Sequence, residues 1–414
     1  MASLPAAPAT AQTANEIERA RELARVGDVE PIRRLIAEGR LAPATRHLLE
    51  ARLHAVELKD GEAVAALNRY FAAGDSDPLR LREAHEIGAG TAFAAGRYAD
   101  AARHGAEVLA RPAGLAASQL DDMQRLTELA RILAVAPPQR LEGKTAGSTA
   151  TSRDKVGLAR TKLASGGATE ETVIDTGANL SVASASAAKR MGLRMLEGAS
   201  AVGNSVGGAA DVKVGIADKV EVAGATLRNV VFLVLDDAAL EFPVSGGYRI
   251  DTITGFPVLR ALGRLTFGPG DTLTVGAAPA VDAKGSALRM VVNQPYVMAR
   301  LGAAEHPLLL DTGANLSILK PRFAAAHPDL TAVNSGKTRK RAGAGGAEEV
   351  SVAHYAKLPS VIGGEAIDLT NVSVEVAAKP EPDQDFGVLG NDILKLFGSF
   401  TIDFDRMTFE VTPK

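Results

Sequence analysis

Asp175-Thr176-Gly177-Ala178-Asn179-Leu180-Ser181 recurs as Asp311-Thr312-Gly313-Ala314-Asn315-Leu316-Ser317, 311 − 175 = 136 positions later. Val173-Ile174 precedes the first copy and Leu308-Leu309-Leu310 the second. Each copy therefore reads as a buried strand entering a tight Gly-containing turn, with one carboxylate at the strand's end. Two carboxylates brought together on a pseudo-twofold axis do not ionise independently, because like charges a few ångströms apart repel. The pair shares a proton. It then offers a base for water and an acid for a carbonyl oxygen, with no covalent intermediate required.

The duplication extends outward from the heptapeptide. Val206-Gly207-Gly208, followed by Val212 and Val214, is echoed by Ala344-Gly345-Gly346, followed by Val350 and Val352. Asn229-Val230-Val231-Phe232 is echoed by Asn371-Val372-Ser373-Val374. An apolar segment ending in Gly closes each half: Ile253-Thr254-Gly255 and Val388-Leu389-Gly390, with Val258-Leu259 and Ile393-Leu394 just beyond. Upstream of each Asp a hairpin is read, around Ser165-Gly166-Gly167-Ala168 and around Gly302-Ala303-Ala304-Glu305. A closing strand is read over Leu265 to Val275 and again over Phe400 to Val411. This is an internal repeat of an all-β unit, with lobes over 153–275 and 288–414. Residues 276–287, rich in Gly, Ala and Pro, read as their connector.

The preceding residues have helical spacing. Ile17, Ala20, Leu23 and Ala24 mark a first helix, and Asp28 reads as the N-cap of a second that carries Ile32, Leu35 and Ile36 and stops at Gly39. Asp60-Gly61 and Asp77-Pro78 open two more. Gly96 separates the latter from Tyr98 to Ala110, and a last helix runs from Ser118 to Val135. The stretch Ala92 to Ala102, with Gly96 and Tyr98 at the turn and Pro112 at the end, resembles a tetratricopeptide repeat. The helical domain thus occupies 15–135, after a disordered terminus over 1–14. A Pro/Gly linker occupies 136–152. The fold class is multidomain α plus β.

Composition excludes much. The chain has 414 residues, 46 Lys and Arg against 49 Asp and Glu, and a net charge of −3, so nothing global points to nucleic acid. With no Cys, there are no disulfides, no thiol catalysis and no Cys-ligated zinc. No apolar run approaches the ~20 residues of a membrane span. The Ala- and Pro-rich start, Met1 to Thr13, admits an ordinary disordered terminus or the beginning of an exported chain, with a slight preference for export. His85-Glu86 lacks the second His of a zinc protease helix, and no Gly-x-Ser-x-Gly elbow exists. The basic run Lys337, Arg339, Lys340 and Arg341 reads as a solvated hairpin face.

The paired Asp-Thr-Gly-Ala turns, the downstream apolar-apolar-Gly segments and the Gly-rich hairpins resemble those of the retropepsin-like and pepsin-like aspartic peptidases, over about Lys155 to Lys414. The resemblance implies a bilobal acid-protease fold and hydrolysis of peptide bonds by Asp175 and Asp311. It implies support of the turns by Thr176, Gly177, Ala178, Thr312, Gly313 and Ala314, and no metal or organic cofactor. It also implies two flaps, centred on Gly203, Gly207 and Gly208 and on Gly343, Gly345 and Gly346, with Gly255 and Gly390 closing the lobes. The substrate would be a polypeptide and the site would be complete within one chain. Gly390-Asn391-Asp392 fits the family's Gly-x-Asp, whereas the first lobe has Gly255-Phe256-Pro257. The helical domain is expected to recruit a substrate or partner, or to occlude the cleft. The competing reading is an inactive protease-like binding module with helical repeats serving as an interaction scaffold.

Overall fold

The computed structural model describes residues 9–143, 146–198, 200–203, 209–242, 244, 246–276, 285–291, 293–343, 346–376 and 385–414. It begins with seven helices: α1 (Ala9–Arg25), α2 (Glu30–Glu38), α3 (Pro43–Val56), α4 (Asp60–Ala72), α5 (Pro78–Ala94), α6 (Tyr98–Leu109) and α7 (Ala117–Leu133). Asp77 caps α5 as its sequence indicates, accepting from the Leu79 and Arg80 amides. Asp28 does not cap α2 in that way. Val29 occupies the cap, and the Asp28 carboxylate reaches only the Glu30 amide, at 3.3 Å. Helix α3 has no capping side chain and starts instead on Pro43, whose fixed φ suits the first turn. Neighbouring helices pack in chain order around small apolar cores such as Leu48, Ala66, Leu67, Tyr70 and Ile87.

The β region is built twice. In the first half, Ala159–Ser165, Ala168–Ile174, Thr252–Thr254, Ser181–Ser184, Ala225–Leu235 and Ala209–Val222 pair in that order. The last then pairs back to the first, closing a six-stranded barrel. In the second half, Gln294–Leu301, Ala304–Leu310, Gly387–Leu389, Ile318–Leu319, Glu365–Glu375 and Gly346–Ile362 pair and close in the same order, with the same parallel and antiparallel senses. Closure leaves each barrel without open edges and packs apolar side chains inside, among them Leu163, Ile174, Phe232, Leu310 and Leu358. The echo between Asn229 and Asn371 extends to the backbone, since both take a left-handed φ, 57° and 54°, inside their long strands.

Between the barrels runs a six-stranded antiparallel sheet: Gly147–Ala150, Thr272–Val275, Arg264–Gly268, Ser399–Asp403, Thr408–Thr412 and Ser286–Val291. Its middle pair joins the halves, with Phe267 stacked on Phe400 at 4.5 Å between centroids. Three expectations are corrected here. Each closing strand is a two-stranded hairpin rather than one strand. Residues 136–152 are not a free linker, because Arg140–Glu142 adds to the first barrel's Ala225–Leu235 and Gly147–Ala150 adds to the shared sheet. The connector read over 276–287 ends inside the strand Ser286–Val291, and 277–284 lie outside the described residues. Among the described residues no helix is long and apolar enough to cross a membrane.

Candidate active site

Each Asp of the repeat ends a barrel strand whose register is fixed on both sides. The Asp175 amide donates to Thr254 O and the Asp311 amide to Leu389 O, both at 3.1 Å. The turn then folds back on its own carboxylate. Asp175 Oδ1 accepts from the Gly177 amide at 2.8 Å and the Ala178 amide at 3.1 Å, and Asp311 Oδ1 accepts from the Gly313 amide at 2.8 Å. These are Asx turns, which Asp forms readily because its short side chain reaches the amide two residues on.

The two turns lock to one another through their threonines. The Thr176 amide donates to Thr312 Oγ1 and the Thr312 amide to Thr176 Oγ1, each at 3.1 Å. The hydroxyls donate onward across the axis, Thr312 to Ile174 O at 2.7 Å and Thr176 to Leu310 O. Both threonines are 1% exposed, so these four bonds are shielded from water and satisfy backbone groups that would otherwise be buried alone. The lock carries each Asp against the opposite turn. A Cβ on Gly177 would stand 2.8 Å from Asp311 Cγ, and one on Gly313 would stand still closer to Asp175 Cγ, so only Gly fits either place.

Behind each turn, an apolar-apolar-Gly segment packs on the heptapeptide's own backbone. The Gly255 amide donates to Ser181 Oγ at 3.1 Å and the Gly390 amide to Ser317 Oγ at 2.8 Å. The next amides, Phe256 and Asn391, donate to Ala178 O and Ala314 O. A Cβ on Gly390 would lie 3.0 Å from Leu316 O, and one on Gly255 would collide with Leu180 O, which explains the Gly in both segments.

The carboxyls keep part of their residue surface open, yet protein encloses them closely enough to dominate their titration. Desolvation pushes Asp175 well above the usual carboxylate range, and the neighbouring Asp311 charge pushes it further. Desolvation raises Asp311 as well, against the lowering effect of the Gly313 amide. The two carboxyls therefore do not titrate independently.

Several supporting contacts had no signal in the sequence. Gln294, at the start of the second barrel, donates from Nε2 to Gly177 O at 2.7 Å and so tethers the first turn from the other lobe. Asn391 Nδ2 donates to Thr312 O and Ala314 O at 2.8 and 2.9 Å, and Arg153 holds Asn391 Oδ1 at 3.0 Å. Asp392 accepts from both the amide and the hydroxyl of Ser317, at 2.7 and 2.6 Å. The first lobe has Pro257 in that place. For Arg339 the reading of a solvated basic face is corrected: its guanidinium lies half-buried, donating to Ser317 O at 3.4 Å and Ser373 Oγ at 3.2 Å, while the side chains of Lys337, Lys340 and Arg341 lie outside the described ones.

The flap glycines are placed in part. Gly203 pairs with Ala209 at the end of one hairpin, and Gly343 pairs with Gly346 in another. Gly207, Gly208 and Gly345 lie outside the described residues. Among the described residues no group of three or more His, Asp or Glu side chains is arranged to hold a metal ion.

Fold and site together define an aspartyl-protease-like domain. Residues 159–258, which span the first barrel and its closing glycine, match the family described as aspartyl protease. Among solved structures, basic 7S globulin from soybean is similar at 12% identity and a TM-score of 0.41, covering 65% of this chain and 95% of that one. A likeness so loose carries no argument. No curated protein matches.

Proposed function

We propose that this chain is an aspartic endopeptidase whose two lobes, over 153–275 and 288–414, each supply one carboxyl of a proton-sharing pair. The observation that carries this reading is the crossed lock of Thr176 and Thr312, which sets Asp175 and Asp311 against each other. A binding module would gain nothing from holding two carboxyls where their repulsion and desolvation cost stability.

In the reaction, the ionised member takes a proton from a water molecule as that water adds to the scissile carbonyl carbon. The protonated member donates to the carbonyl oxygen. The tetrahedral adduct collapses as the C–N bond breaks: the protonated carboxyl gives its proton to the leaving nitrogen, and a hydroxyl of the adduct returns a proton to the ionised carboxylate as it becomes the new carboxyl product, so the pair again holds one proton. The site is complete within one chain and needs no metal or organic cofactor. The substrate is a polypeptide bound in extended form, and the hairpins carrying Gly203 and Gly343 act as flaps over it. The seven helices, with α5 and α6 as a tetratricopeptide-like pair, govern access to the cleft.

The test is cleavage of a denatured polypeptide by the full chain and by its Asp175→Asn variant. Cleavage by the first and none by a folded variant supports the peptidase. Equal cleavage by both, or none by either across acidic and neutral pH, rejects it.

A further inference from the structure

The two copies of the heptapeptide fold alike, and six of their seven positions have matching burial. The exception is the leucine. Leu180 is 2% exposed, whereas Leu316 is 44% exposed. The glycine contacts do not account for this, since Gly255 packs on Leu180 O as Gly390 packs on Leu316 O and each glycine amide donates to the flanking serine's hydroxyl, although Ser317 alone is also held by Asp392. What differs is the neighbourhood. Leu180 belongs to an apolar cluster that joins Val173, Val182 and Ile253 of the first barrel to Phe93, Tyr98 and Leu133 of α5, α6 and α7. Helix α7 packs against the hairpin strand Ser200–Gly203, and its Ile132 closes on Gly198. On the other side Leu316 stands exposed beside the exposed Asn315.

We infer that the cleft is one-sided. The helical layer seals the apolar wall beside the first turn, and Leu316 is the specificity-determining residue, receiving an apolar side chain of the polypeptide on the second barrel's side of the scissile bond. An exposed leucine whose backbone is pinned on both sides gives an apolar group a fixed surface to cover, and covering it removes water from both partners. The sealed twin offers no such surface. This inference rests on the peptidase reading.

The experiment is a cleavage-site profile over an unfolded peptide library, read by mass spectrometry, for the full-length chain and its Leu316→Ser, Leu316→Met and Leu180→Ala variants. The wild type is expected to require an apolar residue at one position beside the scissile bond. Leu316→Ser lowers kcat/KM about tenfold for peptides with Leu at that position and little for those with Ala there, in line with the worth of one apolar contact. Leu316→Met keeps the preference. Leu180→Ala lowers the melting temperature and leaves the preference unchanged. Cleavage by Leu316→Ser with an unaltered profile overturns the one-sided cleft and leaves the peptidase standing, as does a profile changed equally by Leu180→Ala. Absence of cleavage by the wild type removes both readings.

Discussion

Asp175 and Asp311 are placed where ionisation is costly, and that cost has a measurable sign. Burial raises both carboxyls, so the folded chain holds protons there that the unfolded chain releases above about pH 4. Their contribution to stability is fullest below that value and is lost as pH rises through the raised folded range. Asp175→Asn removes one charge from the pair and should raise the melting temperature at pH 7 while changing little at pH 3. Melts at the two pH values check it, and an equal shift at both would count against a shared-proton site. The threonines test the lock itself. Thr312→Val removes an acceptor for the Thr176 amide and a donor for Ile174 O, both buried, and should cost about 2 kcal/mol in urea unfolding.

Among the elements, the duplication was legible because the same short-range rules act twice. A strand, an Asx turn and a glycine pressed against a carbonyl leave the same residues at the same spacing in each half. The crossing contacts were not legible. Gln294 reaches Gly177 over 117 positions, and Arg153 reaches Asn391 over 238, with no periodicity to announce either. Asp392 was visible as a motif, but its grip on Ser317 was not. Asp392→Ala should therefore speed exchange of the Ser317 amide and leave the Ser181 amide, opposite Pro257, unchanged in hydrogen-exchange measurements. The strand Ala304–Leu310 also carries His306, buried with its Nε2 2.6 Å from His327 Nε2 and with Arg322 nearby. Burial, His327 and Arg322 lower His306 to about 4, so the unfolded chain takes up this proton first as pH falls from about 6.5. Stability from this group is present above pH 6.5 and lost between there and about 4. A His306→Leu chain should show a flatter decline over that window.

At the scale of the whole molecule, the helices and barrels are not separate beads. Arg260 stands on the helix Phe256–Leu262, directly after Gly255, and binds Asp60 of α4 at 2.5 Å and Ala94 O of α5 at 3.0 Å. The helical layer thus holds the segment that backs the first Asp turn. Arg260→Ala should quicken hydrogen exchange in α4 and α5 and leave the second barrel unaffected. Composition could not indicate this coupling, because an Arg on a short helix reads as surface until its partners are known. The two barrels meet through the threonine lock and the shared sheet, and that meeting sets each Asp against the opposite turn. The most direct measurement is an infrared difference spectrum at pH 6 between the full chain and its Asp175→Asn/Asp311→Asn double variant. One carboxylic acid band and one carboxylate band should be lost from the pair. The loss of two carboxylate bands with no acid band would contradict the shared proton and the chemistry built on it.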